Sequence, residues 1–346
     1  MKNMRVPAVF GVSALAFFAG AQDAAGGWLR SRGGGDQPLI ESPQVVLSQP
    51  VPGLGARPGF RIASYNIQDF TDGRGEGRQR TPEMADRQAR AAAALLNEIN
   101  PDIAVIEEVE NRESLLLLNR AMARPFPIAQ VTRFGTGGPE MEKLNIAVLS
   151  RLPVEEAREI DFGPMRGKGG PPRGALRFAV DLGDGRKLLV YGVHLKSNWG
   201  NARKNPLKRA RALEIVAADA AAVARRAPDA KWEMAIVGDV NVDPDSDLFA
   251  DDATLLPLDG WIDLWRGRPL EERITVPTRR GDPAQEFPPA TFDRIFVSPE
   301  LTNLPWRVGL PGVIPRGVDT GNVFTVGGQD DRHVSDHYPV FVDVWR

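Results

Sequence analysis

The 346-residue chain has no cysteine. That excludes disulfides, thiolate metal sites and a lipid anchor on a cysteine at a processing site. Histidine is scarce, with three in the chain. Charge of one sign is not in excess. The formal net charge is -2, so no overall field draws the protein onto a polyanion, and any such binding must come from a local basic patch. Beyond the first twenty residues no run is long and apolar enough to cross a bilayer. No internal repeat is found. What remains, 42% hydrophobic and 25% charged residues, is the composition of a soluble globular protein. The chain is long enough to build its own core without staples.

Three zones differ in texture. Lys2 and Arg5 precede an apolar run from Val6 to Phe18, and Ala19-Gly20-Ala21 reads as an A-x-A cleavage site. Residues 1–21 are therefore expected to be a signal peptide, and the protein to be exported to the periplasm or secreted. Residues 22–58 are rich in Gly, Pro, Ser and Gln, as in "PVPGLGARPG", and are expected to form a mobile linker. Residues 59–346 carry the periodic segments of one large domain.

Within that domain "FRIASYN" alternates like a half-buried strand. Thr81-Pro82 offers an N-cap and a first-turn proline for a helix over Pro82 to about Ile99, stopped by Asn100-Pro101. "ESLLLLNRAMA" and Pro206 to about Arg226 read as helices. "DIAVIEEV", "LNIAVLS", "ALRFAVDL", "KLLVYGVHL", "EMAIVGDVN", "FDRIFVS" and "YPVFVDVW" read as strands, with "GDGR" closing a hairpin. Hairpins mixed with crossovers predict an α/β or α+β domain with mixed sheets.

Nearly every strand ends in polar groups suited to catalysis. They are Asn66, Glu107 and Glu108, His194, Asp239 and Asn241, Asp293, and Asp336-His337. Such groups at the ends of apolar strands converge on one concave site when the strands pack together. Hard oxygen ligands suit Mg2+, Mn2+ or Ca2+, and histidine exchanges protons near neutral pH. The set fits metal-assisted attack on phosphorus. Asp239 and Asn241, two apart on an extended segment, are expected to point to one side.

The ordered blocks "SYNIQDF", "DIAVIEEV", "VYGVHLKSN", "IVGDVNVDP", "TFDRIFVS" and "VSDHYPVFVDV" resemble those of the endonuclease/exonuclease/phosphatase superfamily of metal-dependent phosphodiesterases. The resemblance spans residues 60–346 and implies a deoxyribonuclease I-like four-layer α/β sandwich, two packed mixed β-sheets flanked by helices. It implies that Glu108 is the main divalent-metal ligand, supported by Asn66 and Asp336. Asp239 and Asn241 would meet the nucleophile, metal or phosphate. His337 would contact the scissile phosphate and the attacking water, with Asp293 orienting it, and His194 would be a second catalytic histidine. Two features depart from the family's pattern. Glu107 stands where glutamine is common, either as part of a second metal site or facing solvent. The carboxylate that would orient His194 is not identified; Glu140 and Glu142 are weak candidates.

Arg203, Lys204, Lys208, Arg209 and Arg211 form a basic cluster just after "HLKS". Cations in the first turn of a helix oppose the macrodipole, so the cluster is expected to meet a polyanionic substrate. Arg173 either contacts phosphate or closes a hairpin. Trp199 either stacks on a base or caps the core, and His333 is expected to be structural. "GDVNVDPDSD" (238–247) opens like a calcium loop, but it has proline where that loop needs glycine and alanine where it needs glutamate. Asp243, Asp245 and Asp247 therefore read as a polar turn. The expected activity is that of an exported, monomeric endonuclease acting on nucleic acid without a membrane span. A phospholipid or phosphoinositide phosphodiesterase is the alternative.

Overall fold

The computed structural model describes residues 40–41, 44–46, 51, 54, 57–74, 80–133, 145–160, 162, 174–201, 203–278, 288–319 and 333–346. In chain order these form β1 (Ile40–Glu41), β2 (Gln44–Val46), β3 (Gly59–Phe70), α1 (Pro82–Ile99), β4 (Ile103–Val109), α2 (Arg112–Ala121), β5 (Ile128–Val131), β6 (Asn145–Ser150), β7 (Val154–Ile160), β8 (Ala175–Gly183), β9 (Arg186–His194), α3 (Asn205–Arg226), β10 (Lys231–Asp239), β11 (Ile262–Asp263), α4 (Leu270–Arg273), β12 (Asp293–Val297), β13 (Arg307–Val308), β14 (Gly312–Val313) and β15 (Val340–Trp345).

Local chemistry sets the helix ends. Thr81 caps α1 by accepting from the Met84 N–H, and Asn100 closes it in the left-handed region, its N–H returned to the Leu96 carbonyl. Alternation sets the sheets. In β4, Ile103 and Val105 face one side while Ala104 and Ile106 face the other, and all four are buried. A strand buried on both faces reads as an unbroken apolar run.

The first sheet runs β1-β7-β8-β9-β10-β12-β11, and the second runs β13-β15-β3-β4-β6-β5-β2, with β14 beside β15. Both are mixed. The pairs β9/β10 and β3/β4 are parallel and their other neighbours antiparallel. One core lies between the sheets, joining Ile62, Val105 and Val148 to Phe178, Val190 and Val237. A second lies between the second sheet and α1 and α2, and a third between the first sheet and α3. Helix, sheet, sheet and helix make the four layers of an α/β sandwich.

A few residues of the segment expected to be a linker join the sheets. β1 pairs with β7 on the first sheet and β2 with β5 on the second. Each lies at a sheet edge, so the segment covers backbone groups that would otherwise template aggregation. Leu54 is buried in the core between the sheets. The compact unit accordingly begins at Leu39. No helix among the described residues is long and apolar enough to cross a membrane.

Candidate active site

The second sheet supplies one wall. β3 and β4 pair in register as far as Asn66↔Glu107, and the next pair is Phe70↔Val109. The ladder is broken between them, and Gln68, Asp69 and Glu108 take φ of 36°, 55° and 62°. Such bulges re-aim side chains, and left-handed backbone at non-glycine residues gathers at functional sites. Here the bulge turns the Asp69 N–H onto Glu108 Oε2 at 2.7 Å. Glu108 reaches the open site, while Glu107 stays fully buried and accepts from Ser64 Oγ at 2.7 Å.

The first sheet supplies the other wall. Its three central strands bring His194, Asp239 and Asp293 into one row, because Asp239 is registered with both of the others. Gly238 has φ +140°, and a Cβ there would stand 2.0 Å from the Val193 carbonyl oxygen and 3.1 Å from Glu107 Oε1. Only glycine allows the sheets to close so tightly beneath the site. Asn241 sits at φ +55° and therefore does not continue an extended segment, which corrects the reason expected for its alignment with Asp239. Asparagine tolerates this left-handed turn. Its N–H donates to Asp239 Oδ1 at 2.8 Å and its Nδ2 to Asp239 Oδ2 at 3.0 Å.

The two walls meet at Asp239 Oδ2. Asn66 Nδ2 lies 3.3 Å from it and 3.4 Å from Glu108 Oε1. His194 Nε2 is 3.5 Å from Asp239 Oδ2 and 3.7 Å from Glu108 Oε1. His337 Nε2 is 3.8 Å from Asp239 Oδ2 and 3.9 Å from Asp336 Oδ1. The Nδ1 of His337 is held 2.8 Å from Asp293 Oδ2. All eight residues expected in the catalytic and metal sets are thus gathered in one place.

Sequence reasoning missed Ser335. Its buried hydroxyl donates to the Asn66 carbonyl at 2.6 Å and accepts the His337 N–H at 3.0 Å. It ties the His337 loop to β3. The signal was its place in "VSDHYPV", directly before Asp336 and His337.

Burial and crowded negative charge control protonation here. Burial, with Asp293 and Glu108 adding to it against the opposing pull of His337, pushes Asp239 up to about 7. For His337, burial opposes the charged form, but Asp293, Asp239 and Asp336 outweigh it and hold the imidazole well above its ordinary value. Burial, then Asp293, pushes Glu107 well above the usual carboxylate range. Glu107 thus neither faces solvent nor joins the open site. It lies between the sheets, where burial favours the protonated form.

This predicts that Glu107→Gln, a near-isosteric neutral swap, is tolerated. The unfolded carboxyl ionises near pH 4.3 and the folded one resists. Its contribution to stability is therefore full below that pH and is lost as pH rises toward the raised folded value. Urea unfolding in EDTA should show the variant's stability relative to wild type rising between pH 5 and pH 8. An equal difference at both pH values contradicts the assignment.

Among the described residues no three acidic or histidine side chains form a ready-made metal cage. Magnesium asks for less, namely one or two carboxylates with water and substrate phosphate completing the shell. The donor set fits that demand. Glu108 is partly exposed at 17%, Asp336 at 31%, and after burial Asp293 and Glu108 add to the upward push on Asp239, as crowded like charges do.

The basic cluster divides. Arg209 is buried at 1% and donates to Asp252 Oδ2 at 2.5 Å, to Thr254 Oγ1 at 2.8 Å and to the Lys196 carbonyl at 3.1 Å. It is a strut beneath the loop after His194, not a substrate contact, and its carboxylate partner offsets the macrodipole. Arg211 pairs with Glu214 along the helix. Arg203 and Lys204 are exposed and Lys208 half-buried. Arg173, Glu140 and Glu142 lie outside the described residues. His333 is buried, its Nδ1 accepting the Asp319 N–H at 3.0 Å, which is a structural role.

Asp243 opens the expected turn, its carbonyl accepting the Ser246 N–H at 3.0 Å, yet its side chain is not on the surface. It is fully buried and accepts from Arg273 Nη1 at 2.6 and 2.7 Å, from Arg294 Nη2 at 2.8 Å and from the Thr291 N–H at 3.1 Å. It fastens the segments around residues 273 and 291–294 to the end of β10, and so holds Asp293 beside Asp239.

Two mixed sheets packed face to face, with acids, amides and two histidines meeting at the ends of their strands, define a hydrolase of the deoxyribonuclease I-like class. The chain belongs to the Endonuclease/Exonuclease/phosphatase family, whose sequence profile matches residues 63–337. Members of this family hydrolyse phosphodiester or ester bonds and are typically divalent-metal dependent. Among solved structures, truncated TDP2 from Caenorhabditis elegans is similar at 19% identity, covering 83% of this chain and 98% of that one with a TM-score of 0.56. D. rerio TDP2, complexed with single strand DNA product, is similar at 20% identity, covering 83% and 99% with a TM-score of 0.56. Sphingomyelinase C from Streptomyces griseocarneus is similar at 18% identity, covering 83% and 99% with a TM-score of 0.56. No curated protein matches the sequence.

Proposed function

We propose that this protein is an exported, divalent-metal-dependent phosphodiesterase that cleaves nucleic acid as an endonuclease. The observation that carries the reading is the convergence of two imidazole Nε2 atoms and the Asn66 amide within 3.3–3.8 Å of one buried carboxylate oxygen, Asp239 Oδ2. Glu108 borders the same space.

Glu108, supported by Asn66 and Asp336, would hold Mg2+, Mn2+ or Ca2+, which supplies positive charge to the phosphate oxygens. Asp239, near 7 in this environment, is suited to accept a proton from an attacking water at neutral pH. Asn241 fixes the rotamer of Asp239. Asp293 fixes the ring of His337 through Nδ1, leaving Nε2 directed at the reacting centre to bind phosphate and steady the water. His194, at the end of β9 beside Asp239, is placed to donate a proton to the leaving oxygen.

The exposed Arg203 and Lys204 beside this site favour a polyanion. The similar D. rerio protein holds a single strand DNA product. The same core would serve a phospholipid, as the similarity to a sphingomyelinase C allows, and a substrate panel separates the two. Supercoiled plasmid, single-stranded DNA, RNA, sphingomyelin vesicles and an aryl phosphodiester are incubated with Mg2+ and the purified protein. Cleavage of a nucleic acid and of the aryl ester, with no phosphocholine released, is the expected result. Phosphocholine release without nucleic acid cleavage would overturn the nucleic-acid reading and keep the chemistry.

A further inference from the structure

The loop between β9 and α3 (195–204) leaves a large aromatic in water. Trp199 is 67% exposed, whereas Trp265 and Trp306 are fully buried. It therefore does not cap the core. Exposing an indole forgoes one of the largest apolar burial gains a side chain offers, and a floppy loop would hide part of it against its neighbours.

This loop is braced. Asn205 Nδ2 donates to the Ser197 carbonyl at 3.1 Å and to the Trp199 carbonyl at 2.9 Å. Lys196 Nζ donates to the same Trp199 carbonyl at 2.8 Å. Arg209 Nη1 donates to the Lys196 carbonyl and to Asn198 Oδ1, both at 3.1 Å. Asn198 Nδ2 in turn donates to the Asn241 carbonyl at 3.1 Å. Trp199 is one Cα step of about 3.8 Å beyond that anchor, so its backbone is held beside the catalytic end of β10 while its indole stays exposed. Arg203 and Lys204 follow on the same loop, exposed and, among the described residues, in no ion pair.

We propose that Trp199 is a stacking platform for an unpaired base next to the scissile phosphate, with Arg203 and Lys204 tracking the adjoining backbone, so that single-stranded nucleic acid is the preferred form of the substrate. The inference rests on the nucleic-acid reading above and deepens it. A base offers its π-face to an indole only when it has left its duplex stack, and a positive track with an aromatic platform is how strands are gripped without sequence preference. Leu207 is also exposed, at 61%, and a tryptophan with an aliphatic neighbour could instead enter a lipid interface. The rigid bracing and interleaved cations favour the strand over the membrane.

The test compares wild type, Trp199→Phe and Trp199→Ala on three substrates: a single-stranded oligonucleotide, its blunt duplex and an aryl phosphodiester that lacks a flanking base. The ratio of kcat/KM for the single strand to that for the aryl ester should fall roughly 5- to 140-fold in Trp199→Ala, mainly through KM, the range that base stacking on an aromatic platform supplies. Trp199→Phe should recover most of it, and the duplex should respond less than the single strand. Indole fluorescence that the oligonucleotide quenches in wild type should be absent from the Trp199→Phe difference spectrum. An unchanged ratio in Trp199→Ala overturns the inference, as does an equal loss on duplex and single strand. Binding to anionic vesicles, measured on the same variants, that Trp199→Ala abolishes while the single-strand ratio stays unchanged overturns it in favour of a membrane contact. Failure of the wild type itself to cleave any nucleic acid, with the aryl ester still turned over, sinks the nucleic-acid reading instead and the inference with it.

Discussion

His337→Ala lowers kcat for phosphodiester hydrolysis by about 10²- to 10³-fold, the range that losing one preorganised donor to the developing transition-state charge costs. The argument is geometric. The ring is fixed at Nδ1 by Asp293, 2.8 Å away, and its backbone N–H is fixed by Ser335. Its remaining nitrogen is left 3.8 Å from Asp239 Oδ2, a gap that reacting atoms can occupy. Alanine removes the group that holds phosphate and water while leaving Glu108, Asn66 and Asp239 in place. KM should change far less than kcat, because the interaction strengthens as charge develops on phosphorus. Initial rates on an aryl phosphodiester at saturating metal read the effect without dependence on the natural substrate. A loss smaller than tenfold in a variant whose urea midpoint is unchanged contradicts the role assigned to His337.

Asp243→Ala should destabilise the fold by roughly 4–5 kcal/mol, near the upper end of what breaking a buried ion pair costs. The usual case strands one charge. Here one carboxylate faces two guanidinium groups, those of Arg273 and Arg294, exposed at 4% and 0%. Its loss leaves both in the interior with too little negative charge and frees the Thr291 N–H. Arg294 retains Asp263 as a partner, which keeps the cost from doubling. Asp243→Asn preserves the shape and some hydrogen bonds and should cost less than alanine. Activity should also fall, because the segment this carboxylate anchors carries Asp293. Urea unfolding with wild type, Asp243→Asn and Asp243→Ala checks the order, and a cost under about 1 kcal/mol for alanine, the level of an exposed pair, would contradict the network.

Much of this was legible in the chain because function and pattern coincide. Site residues at the ends of apolar strands are visible wherever a buried run stops on an acid, an amide or a histidine, as at Asn66, Glu108, His194 and Asp239, or starts on one, as at Asp293. The capping signals at Thr81 and Asn100 set α1 to the residue. Other features had no sequence signature. β1 and β2, two and three residues long, are too short for periodicity to mark, and their Gly- and Pro-rich surroundings read as linker. Glu107 and Glu108 look interchangeable in a string. The bulge that sends one inward and the other into the site is a tertiary event. Arg209 read as a substrate contact and Asp243 as part of a polar turn because their partners, Asp252 and the pair Arg273 and Arg294, lie tens of residues away. A basic run looks alike whether it is solvated or is a buried strut, and only the fold distinguishes them.

The metal-dependent phosphodiesterase is the core of this account, and one titration tests it most directly. The purified protein, stripped with EDTA, is assayed on single-stranded DNA as Mg2+ is added back, alongside Glu108→Gln. Wild type should be silent in EDTA and regain full cleavage with added Mg2+. Glu108→Gln should need far more metal, or stay silent at any concentration. Equal cleavage by wild type with and without metal, or a wild-type response to Mg2+ that Glu108→Gln reproduces, would contradict it.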